Sequence, residues 1–106
     1  MAKLTSSIPI SEVDIARYDA IFLSGGWGAA YDFAQSEELA ALVTAANADG
    51  DVIGSVCHGA LGLVNAMDTD GTPLIEGRTV TGVTDAQIDQ LGISITPKHP
   101  ESELRA

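Results

Sequence analysis

Gly54-Ser55-Val56-Cys57-His58-Gly59 lies between an apolar run at residues 52–56 and a nearly all-apolar helical pattern at residues 59–67. A strand that turns sharply into a helix lifts one side chain off the sheet and aims the next backbone amides at the same point. Cys57 is the only cysteine of the chain and occupies that point. A lone cysteine elsewhere reads as a small buried hydrophobe. At such an elbow it reads as a nucleophile, because the positive end of the following helix favours the thiolate.

Working outward, Ala20-Ile21-Phe22-Leu23 is a second continuous apolar run, which predicts a strand buried on both faces. It ends in the glycine-rich loop Ser24-Gly25-Gly26-Trp27-Gly28. From Ser36 the period becomes helical, with Leu39, Leu42, Val43 and Ala46 at three- and four-residue steps. Ser36 is the expected N-cap, Glu37 and Glu38 suit the positive helix end, and residues 47–50 supply the stop. Before the first strand, Ser11 to Ile15 can form a short helical turn. After the elbow helix, residues 68–73 form a turn cluster. Thr79-Val80-Thr81 predicts a third strand, and Thr84 or Asp85 can cap a last helix ending at Leu91. Strands alternating with helices predict an α/β fold with a parallel sheet.

Ligands of parallel sheets bind beyond the carboxyl ends of the strands. Gly25 to Gly28 follow the first strand and Cys57 follows the second, so neighbouring strands would bring both to one pocket. Glycines let the backbone approach a ligand closely. Their amides, with that of His58, are candidate donors to a developing oxyanion. His58 is the natural proton shuttle, since its reference pKa is about 6.5. No carboxylate is placed by spacing to orient its imidazole; Asp85 and Asp89 are the candidates, with simple N-capping the alternative for Asp85. His99, between Lys98 and Pro100, reads as a solvated loop residue. One cysteine and two distant histidines make no recognisable metal set. The glycine loop lacks the lysine and hydroxyl residue of a phosphate loop.

Composition bounds the rest. The chain has 106 residues, 45% of them hydrophobic, which predicts one globular domain over residues 1–106. Fifteen acidic residues against five basic ones give a net charge of −10. Such a surface repels phosphate backbones and argues against a nucleic-acid partner. It suits a salt-adapted protein or an ordinary acidic one. No apolar run approaches the ~20 residues of a membrane span. The single cysteine points to a reducing compartment, and the cytoplasm is the expected location.

Taken in order, Tyr18-Asp19-Ala20-Ile21-Phe22-Leu23, Gly25-Gly26-Trp27-Gly28, Asp32-Phe33, Val56-Cys57-His58-Gly59, Pro73-Leu74-Ile75-Glu76-Gly77-Arg78 and Val80-Thr81-Gly82 resemble the ThiJ/PfpI family. That family belongs to the class I glutamine-amidotransferase-like superfamily. The resemblance runs from about Thr5 to the end and is to the branch of glyoxalase III enzymes and heat-shock chaperones. It implies a flavodoxin-like parallel-sheet sandwich, usually dimeric. It also implies a cofactor- and metal-independent lyase that converts methylglyoxal to D-lactate, with protein deglycase activity attributed to relatives. Cys57 would be the nucleophile and His58 the histidine; Gly26 and Trp27 would form the oxyanion loop, with Gly25, Gly28 and Gly59 around it.

The family pattern also places a strand–helix–strand unit, bearing a glutamate, before the glycine loop; the roughly 18 residues available here are too few for it. Glu12 does not stand where that glutamate would. The acidic partner of the histidine falls near Ile88, leaving Asp85 or Asp89, and the last family strand and helix lie beyond Ala106. An incomplete sandwich with an unpaired strand edge is therefore expected to associate with itself. The readings left open are a small-aldehyde lyase, a non-catalytic binding or chaperone-like module, and a redox-sensing thiol.

Overall fold

The computed structural model describes residues 5–106. A 3₁₀ turn at Ile10–Glu12 and another at Ile15–Arg17 lead into strand β1, Ala20–Leu23. Two helices follow, α1 (Ala29–Asp32) and α2 (Glu37–Asp49), and then strand β2, Val52–Ser55. The two strands pair in parallel, with Ala20 opposite Val52 and Leu23 opposite Ser55. Parallel neighbours need a crossover, and α2 provides it. Ser36 caps α2 as expected, its hydroxyl accepting from the Leu39 amide at 3.1 Å. Gly50, in the left-handed conformation, ends it.

The main core lies on one face of this sheet. Leu23, Leu39, Val43, Leu63, Ala66 and Leu74 form it, and Ile21, Phe33, Ile53 and Leu104 pack against it. The opposite face is open: Phe22 is 66% exposed and Val52 69% exposed. The expectation of strands buried on both faces is corrected here. A continuous apolar run does not say how many faces are covered, and the described residues cover one.

The expected helix at residues 59–67 is a 3₁₀ helix, Cys57–Leu63, starting at the cysteine itself and buried from His58 onward. Residues 79–81 do not form the expected third strand; they run without a ladder partner. Their β-branched composition fits a pleated surface but cannot create a neighbour to pair with. Residues 68–73 turn as read, closed by an antiparallel bridge between Met67 and Pro73. Helix α3, Asp85–Leu91, is capped by Thr84 rather than Asp85. The Thr84 hydroxyl accepts from the Gln87 amide at 3.2 Å, and the Gln87 side chain accepts from the Thr84 amide at 2.9 Å. A further helix, α4 at Pro100–Arg105, follows. Val83, Ile88 and Ile93 form a second small core, against which Cys57 packs.

Candidate active site

β2 delivers the chain to the elbow. Val56 is extended, and Cys57 then turns to φ +56°, the only positive φ at a non-glycine residue among those described. That conformation costs an L-residue roughly 1–2 kcal/mol and persists only where its surroundings enforce it. Here the Val56 amide donates to the Leu23 carbonyl (3.2 Å), the Gly59 amide to the Val56 carbonyl (2.8 Å) and the Val83 amide to the Cys57 carbonyl (3.5 Å). The turn is thus fixed to β1, to itself and to the segment before α3.

Two glycines allow this closeness. A Cβ at Gly59 would overlap the Leu23 carbonyl oxygen and stand 2.8 Å from the Leu23 carbonyl carbon. A Cβ at Gly25 would stand 2.8 Å from both Cys57 Cβ and the Val56 carbonyl oxygen. The start of the glycine loop is therefore packed against the cysteine, as the parallel strand pairing required. Beyond it Gly26 takes φ +108°, and Trp27 is 60% exposed. The loop closes into α1 through Trp27 and Gly28 carbonyls that accept from Ala30 (3.0 Å) and Tyr31 (2.9 Å).

Cys57 is half-buried and carries a free thiol. Its Sγ lies 3.4 Å from Nδ1 of His58, within hydrogen-bonding reach for sulfur. His58 is fully buried, and its Nε2 has no hydrogen-bond partner among the described residues. Burial lowers the His58 pKa below the ordinary 6.5, and the charge of His99 lowers it further. The imidazole is therefore held neutral near pH 7, with a ring nitrogen facing the thiol.

Asp85 is not brought to His58 by a hydrogen bond. Its Oδ2 accepts from the Ser102 hydroxyl at 2.7 Å, and its backbone amide donates to Glu101 at 2.9 Å. It joins α3 to α4. Asp89 is exposed on α3, and Ile88 is fully buried in the second core. His99 is not the solvated loop residue expected from sequence: it occupies the N-cap position of α4, half-buried, with Nε2 at 3.1 Å from the Thr96 carbonyl. A histidine directly before a proline that opens a helix was the available signal.

A cavity of about 540 Å³ opens beside Cys57, on the side of α3. Its wall includes Val56, Val83, Leu91, Thr81, Gln87 and Gln90. Val83, Gln87 and Gln90 carry no motif of their own in the sequence, although Gln87, Gln90 and Leu91 share one helical face at i, i+3 and i+4. Among the described residues no group of three or more His, Cys, Asp or Glu side chains could hold a metal ion. Nor is any of their helices long and apolar enough to cross a membrane.

A buried-histidine–cysteine pair at a strand-to-helix elbow, beside a glycine loop on the preceding parallel strand, defines a flavodoxin-like α/β domain with a thiol site. The chain belongs to the DJ-1/PfpI family, whose model matches residues 2–99. It is 36% identical over 85 residues to Glyoxalase 3 of Candida albicans, covering 79% of this chain and 36% of that protein. It is 35% identical over 83 residues to the glutathione-independent glyoxalase HSP31 of Saccharomyces cerevisiae, covering 77% of this chain and 35% of that protein. The crystal structure of the Francisella tularensis Rapid Encystment Protein 24 KDa superposes with a TM-score of 0.86 at 31% identity, covering 92% of this chain and 44% of that one. The chain thus spans about a third of the length of the curated relatives it matches.

Proposed function

We propose that this domain carries the thiol site of a glutathione-independent, glyoxalase III-like lyase acting on small α-oxoaldehydes such as methylglyoxal. The observation that carries the reading is Cys57, held at positive φ with Sγ 3.4 Å from Nδ1 of a buried, neutral His58. His58 takes the thiol proton as Sγ adds to the aldehyde carbon, giving a hemithioacetal. The hydrogen on that carbon leaves as a proton to form an enediol, and a proton returns at the neighbouring carbon. The product is the thioester of a 2-hydroxy acid; water cleaves it, releasing D-lactate and the free thiol. Gly25 to Gly28 are the candidate donors to the oxygen that becomes negative in the first step. No cofactor enters this sequence, and the single cysteine suits a reducing compartment such as the cytoplasm.

The test is lactate formation from methylglyoxal by the wild type and by Cys57→Ser, each shown to be folded by its melting transition. Lactate from the wild type alone supports the lyase. Lactate from both variants, or from neither, refutes it. One observation favours a second reading: the unpartnered Nε2 of His58 lacks the acid that would orient a catalytic imidazole. A thiol module that binds or senses oxidants needs no such acid. It predicts a sulfenic adduct on Cys57 at low peroxide in a protein that makes no lactate.

A further inference from the structure

The cavity beside Cys57 is larger than methylglyoxal requires. Its volume of about 540 Å³ falls in the ~300–1,000 Å³ range of sites that enclose drug-sized ligands, whereas methylglyoxal is a three-carbon molecule. None of its lining residues carries a formal charge, in a chain of net charge −10. Two large apolar side chains stand in water in its wall: Val56 is 50% exposed and Leu91 64%. Val83 provides a third apolar surface. The Gln87 side-chain carbonyl is committed to the Thr84 cap. Gln90, one turn further along the same face, has no hydrogen bond of that kind among the described residues and leaves its amide for a ligand.

We infer that the thiol site takes uncharged α-oxoaldehydes carrying a bulky apolar substituent, represented by arylglyoxals. The ring lies against Val56, Val83 and Leu91, and Gln90 supplies an amide N–H to a substrate carbonyl. The aldehyde part of this statement rests on the proposed lyase; the preference for a neutral aryl group next to Cys57 does not. A carboxylate on the ring would meet no cation in the cavity and would enter a negative protein field.

Alkylation of Cys57 tests the cavity without turnover. In each reaction an Sγ–carbon bond forms as a carbon–iodine bond breaks, iodide leaves, and the thiol proton passes to His58 or to buffer. Second-order rates for N-phenyl iodoacetamide, iodoacetamide and iodoacetate are followed by intact mass and divided by the rates of the same reagents with N-acetylcysteine. Partial burial of a phenyl ring predicts an advantage of about tenfold for the aryl reagent over iodoacetamide, with iodoacetate slowest. Leu91→Asp, at an exposed position, should reduce that advantage severalfold with an unchanged melting transition. Equal normalised rates for the three reagents overturn the inference, as does an aryl advantage that survives Leu91→Asp. The companion assay compares kcat/KM for phenylglyoxal, methylglyoxal and 4-carboxyphenylglyoxal, with phenylglyoxal expected to lead. An aryl labelling preference without hydroxy acid from any aldehyde refutes the lyase while supporting the aryl site. Turnover of methylglyoxal without any aryl preference overturns the inference and leaves the lyase intact.

Discussion

Gly59→Ala perturbs the contact that makes the elbow. The added methyl would overlap the Leu23 carbonyl oxygen and stand 2.8 Å from the Leu23 carbonyl carbon and 2.9 Å from the Ser24 carbonyl oxygen. Ordinary contact between carbons begins at about 3.5 Å. The obstructing atoms are backbone at the end of β1, so no side-chain rotation relieves them. The elbow must move off the strand, stretching the 3.2 Å hydrogen bond from the Val56 amide to the Leu23 carbonyl. Overpacking strain of about 1–3 kcal/mol and the loss of one hydrogen bond, about 1 kcal/mol, sum to about 2–4 kcal/mol. At about 4–8 °C per kcal/mol for a domain of this size, Tm should fall by at least about 8 °C. Gly28→Ala is the control, since a methyl there meets nothing within 4 Å and Gly28 already has φ −55°. That variant should melt at or slightly above the wild type, by the entropy argument for compatible Gly→Ala changes. Thermal unfolding followed by circular dichroism measures both. A Gly59→Ala protein that melts with the wild type refutes the close-packed elbow, and with it the placement of Cys57.

Cys57→Gly should be more stable than Cys57→Ala by about 1 kcal/mol, because glycine takes the left-handed conformation without the Cβ cost; denaturant titration of the two variants checks this, and equal midpoints deny the strain. The His58 pKa is lowered by burial and by His99. Its contribution to stability is therefore complete above the ordinary 6.5 and is lost as pH falls through the lower folded value. Denaturation midpoints should drop on acidification below pH 6.5, and His58→Gln should flatten that drop; an unchanged slope rejects the assignment. Asp68 is held down at about 2, first by Arg78 and then by the Thr69 amide and Asn47. The stability tied to its ionisation is present above the ordinary carboxylate range and disappears as pH falls through about 2; Arg78→Ala should move its NMR-monitored titration upward. The open face bearing Phe22 and Val52 predicts concentration-dependent association in light scattering, relieved by Phe22→Lys; a monodisperse wild-type monomer at high concentration would count against it.

Local chemistry was legible wherever one residue type admits one role. Ser36 and Gly50 bracket α2 because a hydroxyl cap and a left-handed stop have few substitutes. The elbow was legible because an apolar run met Cys-His-Gly with no room for a loop. Coverage of the sheet was not, since Ile21 and Phe22 are equally apolar and only tertiary packing half-buries one and exposes the other. Thr79-Val80-Thr81 misled for the same reason: strand propensity describes a surface, and pairing needs a partner that the described residues do not offer. The roles of Asp85 and His99 depend on α4, whose six residues carry little periodic signal of their own. Once α4 is in place, Asp85 accepts a hydrogen bond from Ser102 rather than from His58, while His99 becomes an electrostatic neighbour of His58.

That exchange of roles matters for the thiol. A carboxylate near His58 would favour the imidazolium and so make the ring a stronger base toward the Cys57 proton. Burial and a second imidazole act in the opposite direction: they keep the ring unprotonated and open to the thiol proton, while making it a weaker base toward that proton. In the proposed lyase, thiol addition is the step on which this balance acts first, and labelling by electrophiles reports on it directly. The later steps proposed for the lyase need a proton returned to carbon, for which the same ring would first have been charged by the thiol. A neutral His58 and a half-buried Cys57 thus act as one unit: neither residue, moved to an exposed position alone, would keep the property that the elbow gives the pair.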